Sequence, residues 1–282
     1  MMLTIALDTI REVSRRKFAP AAMALTALVT VLTAWGFWSL AHLHAANGRP
    51  LSFVEVHSTT AFLVIFGAFL FSFVLAFGGA ILSAPLLSSD LESGMLLPVL
   101  ARPISRVSFV TGKAAALILV VGIYSAVAAV LQLLAVRLTT GYVPPHPFAA
   151  VGALWMLATV VMALGLALSV RLPALASSLI AVMAFGVSWM VGIVSSFGIA
   201  YHNAMLIRVG VISQLLVPTD AMWRIAVYQL EPVAMLGHNG GFGPLGPFSV
   251  VSPPPIAILW WTFAWIAVVL TFAAGTFSRR DA

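Results

Sequence analysis

The chain has 282 residues, of which 62% are hydrophobic and only 8% charged, with a mean hydropathy of +1.09. Globular chains carry roughly 25% charged residues, so this composition excludes a soluble enzyme and points to a helical protein that crosses a membrane several times. The net charge of +6 comes from basic residues that flank apolar segments instead of gathering on one face, which argues against nucleic acid as a partner. There is no cysteine, and with it go disulfides, thiolate metal sites and thiol nucleophiles.

In residues 1–18, Leu3, Leu7, Ile10 and Val13 recur at helical spacing, opposite Asp8, Arg11, Glu12 and Arg15. This pattern predicts an interfacial helix lying on the inner leaflet. Pro20 suits the first turn of the helix that follows, so a bend is expected near Phe18. The charge-free run after Lys17 exceeds the roughly 7–15 residues of a signal-peptide core, so this first span is expected in the mature protein.

A helix needs about 20 apolar residues to cross a bilayer core, and six charge-free stretches qualify. They are residues 19–41, 61–83, 114–136, 149–170, 174–200 and 256–277. The whole of 1–282 thus reads as a single transmembrane domain of the all-α class, with six transmembrane helices. An even number of crossings puts both termini on one side. That side collects Arg11, Arg15, Arg16, Lys17, Arg102, Arg106, Lys113, Arg171, Arg279 and Arg280, against Arg49, Arg137, Arg208 and Arg224 on the other. The asymmetry places both termini in the cytoplasm. Trp35, Trp38, Trp155, Trp260 and Trp261 then fall near the outer helix ends, where an interfacial aromatic belt is expected.

Two connections have character of their own. In the cytoplasmic segment 85–113, Ser89 and Glu92 have capping-box spacing and predict a short helix starting at Asp90, ended or kinked by Pro98. The outer stretch 201–255 is too long for a plain connector. Residues 204–217 are too short to cross and carry Arg208, so they predict a re-entrant or interfacial helix, followed by an amphipathic piece over 219–230. The Gly- and Pro-rich run 237–255 reads as irregular loop.

Little in the chain looks catalytic. Gly241, Gly243 and Gly246 match a dinucleotide fingerprint formally, but no strand precedes them and Pro244 and Pro247 interrupt. Gly112-Lys113-Ala114 lacks the upstream glycine and the Ser/Thr of a phosphate-binding loop. His42, His44, His57, His146, His202 and His238 all fall at the outer side, without regular ligand spacing, so no metal site is assigned. The charge-free spans argue against a proton- or ion-coupled pump. Tyr124, Gln132 and Ser188 fit either a polar path or interhelical hydrogen bonds; the pairs Gly79/Ser83, Gly165/Ser169 and Gly192/Ser196 read as sites of close helix approach.

The cytoplasmic connection runs Glu92-Ser93-Gly94-Met95, then Leu100-Ala101-Arg102-Pro103-Ile104-Ser105-Arg106, then Gly112-Lys113. This resembles the E-x-G-(T/M)…L-x-x-P-x-S-R…G-K stretch of type-2 ABC exporter permeases, nearest to the group that serves nitrous-oxide-reductase maturation. The opening Ile5 to Lys17 and the closing Phe277-Ser278-Arg279-Arg280-Asp281 are similar to that family's ends, while Pro98 departs from its continuous leucine-rich helix. The resemblance implies a permease subunit of the bacterial inner membrane, paired with a second copy or a paralogue, surrounded by membrane lipids and carrying separate cytoplasmic ABC ATPase subunits. ATP and Mg would belong to those partners, with no cofactor and no catalytic residue in this chain. It further implies a coupling helix containing Asp90, Glu92, Gly94, Arg102 and Arg106, which transmits ATPase closure into alternating access. The competing class is a non-transporting membrane anchor or assembly subunit of a respiratory or maturation complex. Lipids, peptides, drugs and metal- or sulfur-related species all remain open as substrates.

Overall fold

The computed structural model describes residues 18–44, 48–86, 106–231, 250 and 253–279. The segments predicted as the interfacial helix, the coupling helix with Asp90, Glu92, Gly94 and Arg102, and most of the Gly/Pro-rich loop lie outside the described residues. Those that are described form helices, with one isolated bridge between His44 and Pro50. In order they are α1 (Phe18–Ala41), α2 (Phe53–Ser83), α3 (Arg106–Thr140), α4 (Pro147–Ser169), α5 (Ala174–Ala200), α6 (Ala204–Leu216), α7 (Thr219–Leu230) and α8 (Ile256–Ser278). Six of them, α1 to α5 and α8, are long and apolar enough to cross a membrane.

Two of these helices outrun their charge-free windows. α2 starts at Phe53 instead of residue 61 because Ser52 and Glu55 close a capping box: the Glu55 amide donates to Ser52 Oγ at 3.3 Å and the Ser52 amide to Glu55 Oε2 at 2.8 Å. Arg49 grips the same carboxylate with two hydrogen bonds of 2.7 and 2.9 Å. α3 is 35 residues long, about 52 Å at 1.5 Å per residue, more than the roughly 40–45 Å of a bilayer with its headgroups. The helices therefore include Glu55, His57, Lys113 and Arg137, which the windows had excluded. Apolar length defines the part of a helix that lipid can cover, whereas capping and intrahelical hydrogen bonds decide where the helix stops.

The hub is α4, whose apolar window is 67% buried against 6% for α1. It packs on α2 through narrow side chains. A Cβ at Gly79 would come within 2.9 Å of Met162 Cγ, and one at Gly165 would overlap Ser83 Oγ, so the two helices approach as the small-residue pairs imply. α1 lies outside this core and is fastened mainly to α3: Thr26 shares a 3.0 Å hydrogen bond with Tyr124, and Gln132 donates to Thr30 at 3.3 Å. The polar groups that fitted either a path or packing are thus bonded between helices. Trp155, expected in the aromatic belt, has a tertiary contact as well. Its ring covers Gly122 of α3 and its indole N–H donates to the Ile118 carbonyl at 2.9 Å, so it joins two helices.

Candidate functional site

The most polar buried place in the described structure is the elbow between α6 and α7, which bend by 103° across a two-residue break. The chain reaches it through a sharp reversal. α5 ends at Ala200, His202 adopts a left-handed φ of 53°, and the Asn203 side chain caps α6 by accepting from the Met205 and Leu206 amides at 3.0 and 3.3 Å. Gly198 faces Leu206 and Gly210 faces Ser195, so α6 folds back against α5 without side chains to hold it away.

A break of this kind leaves helix-terminal carbonyls without partners, and in an apolar setting each needs one. Three consecutive carbonyls accept from side chains of other helices, the last of them in addition to the Thr219 amide at 2.8 Å. Trp261 and Trp265 of α8 donate their indole N–H groups to Leu215 and Leu216 at 3.1 and 2.8 Å, and Ser188 of α5 donates to Val217 at 2.9 Å. The elbow is therefore a tie between the fifth and sixth long helices. Trp261 serves this bond as well as any interface.

Beside the elbow sits an ion pair that is largely withdrawn from solvent. Asp220 and Arg224, four residues apart on α7, meet at 2.8 Å with their side chains 4% and 16% exposed. Gln214 of α6 donates to the same carboxylate oxygen at 2.8 Å. Arg224 also donates to the Gly192 carbonyl at 2.7 Å and to Ser196 Oγ at 3.1 Å on α5. Gly192 is open because Asp220 fills the space its side chain would need. The cluster thus binds α5, α6 and α7 through two opposed charges, and α7 in turn lies along α4 with Ala221, Met222, Ala226, Val227 and Leu230 buried. Beneath it, Phe69, Trp189 and Trp223 pack with ring centroids 5.5 and 5.7 Å apart. Glu231, just past α7, is buried and accepts from the Val250 amide at 3.4 Å, which brings residue 250 back to the same face.

Chemically, this arrangement is a clamp with matched charges. Arg224 had counted only as an outer base. The available signal was the opposite charge of Asp220 and Arg224 at i,i+4 in an otherwise apolar stretch, a spacing that pairs side chains on one helix face. Gly192 and Ser196 do receive a close neighbour, but it is the short α7.

Of the residues the resemblance assigns to coupling, only Arg106 is described, as the first residue of α3. A neighbour adds a feature there. Lys113 is 6% exposed, donates to the Leu86 carbonyl at 2.7 Å and lies 4.7 Å above the Phe109 ring. It therefore joins the two ends that bracket the 87–105 connection. The sequence offered it as a failed phosphate loop, as one of the basic residues that set the orientation and as part of the permease-like stretch, but not as a bond between helices. At the opposite end, Arg49 is held protonated more firmly than usual by its hydrogen bonds to Glu55, and burial pushes the Tyr142 hydroxyl up to about 12. His57 Nε2 lies 3.2 Å from the Thr140 carbonyl and His42 Nδ1 2.8 Å from that of Trp38; among the described residues no three acidic or histidine side chains gather as a metal shell. No family model matches the chain, and no curated protein matches its sequence.

Proposed function

We propose that this chain is the permease subunit of an ATP-driven ABC transporter of the exporter type, working by alternating access as a dimer in the bacterial inner membrane with both termini cytoplasmic. The observation that carries the reading is the elbow. Six long apolar helices with a broken helix pair folded back between the fifth and sixth match the layout of the family the chain resembles. Broken helices at membrane depth are tolerated where they are buried in protein or line a cavity, and they recur at transport sites. The clamp of Asp220 and Arg224 then acts as a seal on the outer face. On the other face α3 outreaches the bilayer, and Lys113 holds it to the end of α2, so a push on the 87–105 connection passes into both helices.

Orientation comes first among the tests, and the absence of cysteine makes it direct. Single cysteines replacing Asn47 and Asn239 are expected to react with an impermeant maleimide in intact cells, and one replacing Ser93 is expected to be spared. Labelling of Ser93 alone reverses the orientation.

The division of labour is tested by purifying the tagged chain from its own membrane. ATP hydrolysis is expected to accompany it in a complex, with no saturable nucleotide binding by the chain alone. Within that complex Glu92→Arg is expected to lower transport-linked hydrolysis at least tenfold while leaving assembly and membrane insertion intact, because loss of one cap costs only about 0.5–2 kcal/mol. Nucleotide binding by the isolated chain, or a complex holding respiratory or maturation subunits and no ATPase, overturns the reading in favour of an enzyme or an anchor.

A further inference from the structure

Where the turn between α4 and α5 meets the end of α8, an open groove of about 980 Å³ follows the outward face of α8. That volume lies at the upper end of the roughly 300–1,000 Å³ usual for small-molecule sites. One end is held by two cations, Arg171 from the α4–α5 turn and Arg279 at the end of α8, both exposed. Neither has a carboxylate partner among the described residues. From there the groove runs along Gly275, Phe272 and Thr271 to Val268 and Ala267, with Val268 and Phe272 67% and 63% exposed. The Thr271 hydroxyl donates to the Ala267 carbonyl at 2.7 Å, so it is engaged within its own helix.

The dimensions select an occupant. Twelve residues of helix separate Arg279 from Ala267, a rise of about 18 Å at 1.5 Å per residue, and one leaflet of a hydrocarbon core roughly 30 Å thick is about 15 Å deep. A cationic mouth at the headgroup level and an apolar floor one leaflet long match a phosphate joined to an acyl chain. Guanidinium groups suit that phosphate because their donors form charge-assisted, bidentate hydrogen bonds to it. A zwitterionic headgroup offers the same phosphate beside a cation that the two arginines repel. A free phosphate fills the mouth and leaves the apolar floor bare.

We propose that this groove is a binding site for one anionic phospholipid, its phosphate between Arg171 and Arg279 and an acyl chain along Gly275, Phe272, Val268 and Ala267. The site requires only that α8 lines a bilayer, so it stands or falls separately from ATP-driven transport. It places a lipid on the same face of α8 as Trp261 and Trp265, which hold the elbow one to two turns further along, and so brings the charge of one leaflet to bear on the α8 position.

The full-length chain in detergent is titrated in native mass spectrometry with dioleoyl phosphatidylglycerol, dioleoyl phosphatidylcholine and inorganic phosphate. One saturable phosphatidylglycerol per chain is expected, bound at least tenfold more tightly than phosphatidylcholine. Each of Arg171→Gln and Arg279→Gln is expected to weaken it about fivefold, and the pair about twenty-five-fold. Gly275→Leu keeps both arginines and adds a side chain where no atom lies within 4 Å of the new Cβ; it is expected to lower phosphatidylglycerol occupancy at least tenfold with unchanged helical content. Equal binding of the two lipids overturns the proposal, as does lipid binding indifferent to Gly275→Leu. Phosphate that binds as tightly as the lipid reduces the site to an anion site and overturns it too. A chain dimer that Gly275→Leu dissociates assigns the groove to a second copy instead.

Discussion

Asp220→Ala is expected to lower the stability of the folded chain by about 3–5 kcal/mol, the cost of leaving one member of a buried ion pair without its partner. The substitution strips Arg224 of its 2.8 Å carboxylate contact and leaves the Gln214 amide without its acceptor, while the bonds from Arg224 to Gly192 and Ser196 remain. Asp220→Asn keeps an oxygen at the same place and loses only the charge, so its cost is expected between that of alanine and zero. Removing both charges in Asp220→Ala/Arg224→Met is expected to cost less than the single alanine change, since no orphaned cation is left. Unfolding in graded dodecyl sulfate, followed by tryptophan fluorescence, reads all three, because Trp223 lies on the same helix and Trp189 packs beneath it. A double variant that loses more than Asp220→Ala alone refutes the pairing as the source of the effect. If the clamp seals the outer face, the double variant also exposes cysteines placed at Ser195 or Ser196 to an impermeant maleimide while the fold persists.

The long helices were legible because lipid imposes a length and an apolar composition that a linear scan can read. Their ends were less so. Ser52 and Glu55 carry the capping-box spacing in plain view, but a criterion built on absence of charge discarded Glu55 together with the turn that it caps. The same criterion hid Lys113, whose ammonium group reaches a backbone carbonyl 27 residues earlier in the chain, a bond with no local signature. The elbow pieces at 204–217 and 219–230 were visible as segments too short to cross, yet their 103° bend and the three donors that satisfy it come from helices up to 49 residues away. Trp155 and Trp261 show the same limit from the other side. Position along the helix predicts an interface anchor, whereas the tertiary neighbour decides whether the indole N–H meets a headgroup or a carbonyl.

Gly192 offers the sharpest test of how the elbow is seated. A Cβ built at this glycine overlaps the Asp220 carboxylate, and that carboxylate is held by Arg224 and Gln214, so it has no free rotamer to escape into. Gly192→Ala is therefore expected to cost about 1–3 kcal/mol through overpacking, and Gly192→Leu more than about 3 kcal/mol, because the larger side chain must also part the ion pair. Gly186 lies on the same helix with nothing within 4 Å of its Cβ position, and Gly186→Ala is expected to be neutral or slightly stabilising. The two glycines share one helix, and only Gly192 meets α7, so the contrast isolates that contact. A double-mutant cycle completes the argument. Once Asp220→Ala has removed the carboxylate, Gly192→Ala no longer collides with it, and the two costs together are expected to fall short of their sum by more than about 1 kcal/mol. Additive costs place the crowding elsewhere and separate α7 from the groove that Gly192 leaves open on α5.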